Sequence, residues 1–103
     1  MYSTMQDFPL TVTGLLRYGT ALYADRLVKT ATDEGYRQAS YRDIGVRVAQ
    51  LAHGLRGLGV IADQRVATFM WNNQAHLEAY FAVPCMGAVL HTLNIRLSGD
   101  QIA

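Results

Sequence analysis

The chain has 103 residues, half of them hydrophobic and 17% charged, with a formal net charge of +1. That is the composition of one globular unit able to bury about 60–70% of its unfolded surface, and it excludes a disordered chain. Charges of both signs are interspersed without a basic stripe, which argues against a nucleic-acid binder, and no apolar run approaches the ~18–20 residues that span a bilayer. Residues 1–7 show neither the basic nor the apolar part of a signal segment, and Cys85 is the single cysteine. An internal disulfide is therefore excluded, and a cytoplasmic location is expected.

The pattern along the chain predicts a short helix, a hairpin, and then alternating helix and strand. Residues 11–23 place Val12, Leu15, Leu16, Leu22 and Tyr23 on one helical face, with Gly14 and Gly19 weakening the helix. Residues 27–32 and 36–41 read as two strands joined by a turn at Asp33-Glu34-Gly35. Ser40-Tyr-Arg-Asp43 fits a capped helix start, because the serine hydroxyl accepts the N–H three residues on and Asp43 faces the positive end of the helix. Behind it, Ile44, Val48, Leu51, Ala52, Leu55 and Leu58 recur every three or four residues, and Gly59 sits where a left-handed C-terminal cap belongs.

Residues 65–71 (RVATFMW) are almost continuously apolar after Arg65, the pattern of a strand buried on both faces. Asn72 or Asn73 is placed to cap the next helix, whose apolar side is expected from Leu77, Tyr80, Phe81 and Met86, with Pro84 bending or ending it and Gly87 closing it. Residues 88–92 (AVLHT) follow as another strand. Strand, helix, turn and strand form a βαβ unit, hence a parallel pair. The fold class expected is α/β, a short hairpin plus a βαβ unit flanked by helices. Ser98-Gly-Asp-Gln101 is a further capping box with two residues after it, too few for a helix. A truncated chain is expected over a polar tail with a chance match, since a lone parallel pair also leaves its edges and faces uncovered.

No catalytic constellation is visible. His53, His76 and His91 lack partners at metal-ligand spacing and read as structural or surface histidines, and Cys85 reads as a small buried residue. Gly54, Gly57 and Gly59 follow the order G-x-x-G-x-G at the end of a helix, whereas a dinucleotide loop needs G-x-G-x-x-G after a strand and before a helix. Gly54-Leu-Arg-Gly57 also fits a four-residue nucleic-acid clamp, but Leu55 and Leu58 already belong to the apolar face. Trp71-Asn72-Asn73, Asn94 and Arg96 follow the two parallel strands, where ligands of open α/β sheets bind. Helix capping by asparagine beside a packed tryptophan is the plainer account of the first group. For Arg96, an anionic ligand and a partner carboxylate both remain open.

The stretch from Ser40 onward resembles the opening of the adenylate-forming acyl-CoA synthetases. The resemblance lies in an ordered series: Ser40-Tyr41, Ala49, Leu51-Ala52, Leu55, Leu58-Gly59-Val60, Asp63-Gln-Arg65-Val66-Ala67, Asn72-Asn73, Gly87-Ala88-Val89 and Asn94-Ile-Arg96-Leu97. Residues 76–84 and 86–94 look like the fatty-acyl branch. The resemblance implies that residues 1–103 are the N-terminal part of a large domain several-fold longer, in a fatty-acid–CoA ligase that uses ATP, Mg²⁺ and CoA. It implies as partners the remainder of the same polypeptide, a fatty-acid substrate and a second copy, with no nucleic acid. The family's phosphate loop, adenine segment, ribose-binding aspartate and catalytic lysine have no counterpart here, and Lys29, the single lysine, matches none of them. No catalytic, cofactor-binding or metal residue is therefore assigned, no cofactor is expected on these residues alone, and they are expected to be inactive by themselves. Two other readings stand beside this one: a non-catalytic dimerisation or interaction module, and a small nucleotide or nucleic-acid binder.

Overall fold

The structure, a computed structural model, describes residues 4–103. Helix α1 (Val12–Leu22) begins at Thr11, whose hydroxyl accepts the Gly14 N–H at 3.1 Å. Its inward side is Val12, Leu16, Gly19 and Thr20, while Leu15, Leu22 and Tyr23 face outward, so the expected single apolar face divides in two. The glycine serves packing here. The ring of Tyr41 lies 3.7 Å from where a Gly19 Cβ would stand, and a Cβ on Gly45 would meet the Thr20 methyl at 2.8 Å.

Strands β1 (Leu27–Thr32) and β2 (Gly35–Ser40) form an antiparallel hairpin in register from Leu27 opposite Ser40 to Thr32 opposite Gly35. The two-residue loop Asp33-Glu34 leads into Gly35 at φ +130°, a conformation side chains resist. Ser40 then caps α2 (Tyr41–Gly57) through the expected reciprocal box: its hydroxyl accepts the Asp43 N–H, and Asp43 accepts the Ser40 N–H, each at 3.1 Å. The serine hydroxyl and backbone N–H hold the Asp43 carboxyl below its ordinary pKa. Gly59, at φ +92°, closes the helix in a Schellman turn, with Gly59 N–H to Arg56 C=O at 2.9 Å and Val60 N–H to Leu55 C=O at 3.0 Å.

Strand β3 (Arg65–Thr68), helix α3 (Gln74–Cys85) and strand β4 (Val89–Thr92) form the βαβ unit, with Arg65 opposite Val89 and Thr68 opposite Thr92 in a parallel pair. Each strand is one to three residues shorter than the sequence suggests, and β3 is half-buried on one face only. The predicted two-sided burial fails because none of the described residues forms a second layer on the other face, where Phe69 is 59% and Trp71 69% exposed. Pro84 is tolerated in the last turn of α3, and Gly87 at φ +85° ends it with a second Schellman turn. A last single turn, α4 (Gly99–Ile102), does form, with the Gln101 side chain accepting the Ser98 N–H at 3.1 Å.

The core lies where α3 crosses α2. Ile44, Val48 and Ala82 meet there, with Leu16, Val28, Ala39 and Phe81 around them, and Val83, Met86 and Ala88 continue it under β3 and β4. Burying Ile44 and Val83 fully contributes about 1.5–3 kcal/mol each. Helix α3 is enclosed on most sides and buries Gln74, His76 and Glu78 as well as Ala79, Ala82 and Val83, a set that its expected apolar residues do not predict.

Candidate functional site

Two polar clusters are built on α3. The first begins with Glu78, 4% exposed, whose Oε1 accepts from the Arg47 guanidinium on α2 and from Gln74 Nε2 at 2.8 Å. Gln74 in turn donates its backbone N–H to Thr30 Oγ1 of the hairpin at 3.0 Å. One buried carboxylate thus links α2, α3 and, through Gln74, the hairpin. The hydrogen bond to Glu78 and the opposite charge behind it raise the Arg47 pKa. The guanidinium reaches solvent while the carboxylate does not, and among the described residues no buried polar side-chain atom lacks a partner. A buried carboxylate held by two donors in this way ties the elements together.

The second cluster lies at the carboxyl ends of β3 and β4, where ligands of open parallel sheets bind. His76, 4% exposed, places Nε2 3.0 Å from Thr68 Oγ1 and Nδ1 3.1 Å from Asn72 Oδ1. In the neutral ring, Nδ1–H then donates to Asn72 and Nε2 accepts from the Thr68 hydroxyl. The imidazole also meets Tyr80 at 4.9 Å between ring centres, tilted 43°. Asn73 Oδ1 accepts the His76 N–H at 3.0 Å and caps α3. A shallow cleft of about 300 Å³ opens here, lined by Trp71, Asn72, His76, Tyr80, Thr92 and Arg96 among others. Both ring nitrogens of His76 are engaged within the protein, so it is a structural histidine joining the β3 end to α3.

The other residues singled out from sequence scatter. His53 and His91 are exposed, Cys85 is half-buried with a free thiol, and Lys29 is exposed on β1 opposite Gln38. Asn73 caps α3 as the sequence suggests, but Trp71 projects outward and is not packed. Arg96 is exposed on the turn after β4, where its N–H donates to Asn94 Oδ1 at 3.0 Å. Sequence reasoning missed the Arg47–Glu78–Gln74 chain. Its only local signal is the i, i+4 spacing of Gln74 and Glu78, since Arg47 lies 31 residues from Glu78.

The three glycines do not form a phosphate loop. Gly54 and Gly57 lie inside α2 and Gly59 in its closing turn, so their N–H groups do not converge as a phosphate cradle requires. Among the described residues, no group of three His, Cys, Asp or Glu side chains is placed to hold a metal, and no helix is long and apolar enough to cross a membrane.

The family model for AMP-binding enzymes matches residues 20–103, well over half of the chain. The chain belongs to the AMP-binding enzyme family. The long-chain-fatty-acid–CoA ligase of Thermus thermophilus is 45% identical over 98% of this chain, and the medium-chain-fatty-acid–CoA ligase of Ectopseudomonas oleovorans 32% over 99%. In both comparisons the match takes up 19% of the ligase. The solved N-terminal domain of the FACL13 protein of Mycobacterium tuberculosis superposes with a TM-score of 0.82 at 19% identity, over 91% of this chain and 24% of that one. The α/β architecture of this AMP-binding family member is therefore that of the N-terminal portion of an adenylate-forming enzyme, and the chain spans about a fifth of the length of these curated relatives.

Proposed function

We propose that residues 1–103 are the N-terminal part of the large domain of a cytoplasmic fatty-acid–CoA ligase. The observation that carries this reading is the 45% identity to a long-chain-fatty-acid–CoA ligase along nearly the whole chain. In such an enzyme ATP and Mg²⁺ convert the fatty-acid carboxylate to an acyl-adenylate, whose AMP is the better leaving group when the CoA thiol attacks the acyl carbon. The residues here contribute scaffold: a capped helix pair, a buried carboxylate cross-link and the ends of two parallel strands. None of these contacts is assigned a catalytic role, and the 103 residues alone are expected to be inactive.

The test is acyl-CoA formation from fatty acids of graded chain length, with ATP, Mg²⁺ and CoA, by the complete polypeptide and by residues 1–103. Turnover by the first and none by the second is expected. No turnover by the complete polypeptide at any chain length, or turnover by the short chain, contradicts the reading. Self-association accompanies this reading, because Leu15, Tyr18 and Leu22 form an exposed apolar row on α1. Light scattering that shows a monomer at high concentration contradicts that part.

A further inference from the structure

We infer that the outward row of α1 is an interface between two copies of the polypeptide, laid antiparallel so that Leu15 of each meets Tyr18 of the other. The inference deepens the self-association read above and rests on the same reading of these residues as part of a longer ligase.

Helix α1 gives Leu16 to the core and keeps a second apolar side free of it. Thr11, Leu15, Tyr18 and Leu22 recur at intervals of four, three and four residues, which sets them in one line along the helix. None of the four is charged. Phe8 and Leu10 before the helix and Tyr23 after it widen the line into a patch, whose large side chains are between 45% and 93% exposed. At about 100 Å² for each of them the patch offers roughly 600 Å², the most that a monomer ordinarily leaves bare and near the ~800 Å² per copy of a standard interface.

The patch carries its own counterpart. At its N-terminal end a crevice of about 500 Å³ opens between Phe8, Leu10, Thr11, Leu15 and Tyr18. At the other end Leu22 and Tyr23 stand out, with the Tyr23 ring 5.6 Å from that of Tyr18 between centres. A hollow and a knob at opposite ends of one line complement a second copy related by a two-fold axis through the middle of that line. The spacing is symmetric about this midpoint. Antiparallel pairing therefore sets Leu15 against the partner's Tyr18, and Leu22 against the partner's Thr11 at the mouth of the crevice.

Charge agrees with that direction. Asp7 precedes the crevice, whereas Arg26 and the Arg42–Asp25 pair follow the knob, so antiparallel copies bring ends of opposite net charge together. The helix dipoles oppose as well. A separate segment of the polypeptide would have to supply a complement that this patch already holds. A lipid surface is a poorer match, because helices lying on bilayers line their polar flanks with Lys and Arg, and Arg17 is the one charged residue of α1.

Sedimentation of the complete polypeptide over a range of concentrations tests this. A dimer is expected. Leu15→Glu and Tyr18→Lys, both at exposed positions that leave the fold intact, should each weaken it at least about 30-fold, because a charge would be buried against an apolar partner. Mixing the two variants should restore the dimer. In the mixed pair the opposite charges meet at one contact, while the unaltered Leu15 and Tyr18 meet at the other. A polypeptide that stays monomeric overturns the inference, and so do variants that dimerise as the parent does. A mixture that stays monomeric overturns the antiparallel register. A monomer that cosediments with phosphatidylglycerol vesicles, and loses this with Leu15→Glu, overturns the second copy in favour of lipid. Ligase activity is assayed on the same samples. A dimer of the expected kind that is inactive overturns the ligase reading alone; an active monomer overturns the interface alone.

Discussion

The two faces of the β3–β4 pair differ although the same eight residues build both. On the inner face Val66, Thr68 and Leu90 are half-buried, with Val66 and Leu90 packed against Val83, Met86 and Ala88. On the outer face Ala67, Val89 and His91, continued by Phe69 and Trp71, lie exposed. Alternation along a strand sends neighbouring apolar residues to opposite sides, so an almost continuous apolar run is a pattern for two covered faces. Among the described residues only one cover is formed, the α2–α3 layer. Burial is set by what packs against a residue, and the outer face shows composition without its complement.

Substitutions sharpen that contrast. Ile44→Ala, at the centre of the covered side, should cost about 2–5 kcal/mol in urea unfolding, because a fully buried side chain leaves a cavity. Gly45→Ala should cost about 1–3 kcal/mol, since the new methyl meets the stiff Thr20 side chain and pushes α1 away from α2. A loss below a few tenths of a kcal/mol would show that α1 is held too loosely to notice. Ser40→Ala should cost about 1 kcal/mol through the lost cap of α2.

The cap also carries a pH signature. Asp43 titrates below its ordinary value of 3.8 in the folded chain, so its contribution is fully present above that pH and is lost as pH falls through the lower, folded value. Acid titration of helicity should therefore separate Asp43→Asn from the parent at neutral pH and bring the two together below that value. The smallest effect belongs to the outer face. Phe69→Ser should change the stability of residues 1–103 by less than about 0.5 kcal/mol, while reducing any self-association seen by light scattering. A loss as large as that of Ile44→Ala would mean that the outer face is already covered.

Local chemistry was the legible part of the fold. Ser40 and Asp43, Gly59, Asn73 and Gly87 mark helix ends through bonds made within a few residues, and the structure places each where its sequence context suggests. The hairpin is legible for the same reason, with a tight turn and adjacent strands. What failed depended on distant partners. Trp71 and Phe69 lack the layer their apolarity anticipates, and Gly19 and Gly45 matter through a helix crossing that no local pattern shows. The polar cross-link joins Arg47 to Glu78 across 31 positions. Family membership, in contrast, was legible from the ordered series between Ser40 and Leu97, because many weak matches in register carry more information than any one motif.

Reading the coding DNA beyond the codon for Ala103 tests the central claim most directly. The relatives are about five times as long as the matched part, so the account predicts an open frame of comparable length that encodes a Ser/Thr/Gly-rich loop bearing a lysine. A stop codon immediately after Ala103 would contradict it and leave partner binding as the function to pursue.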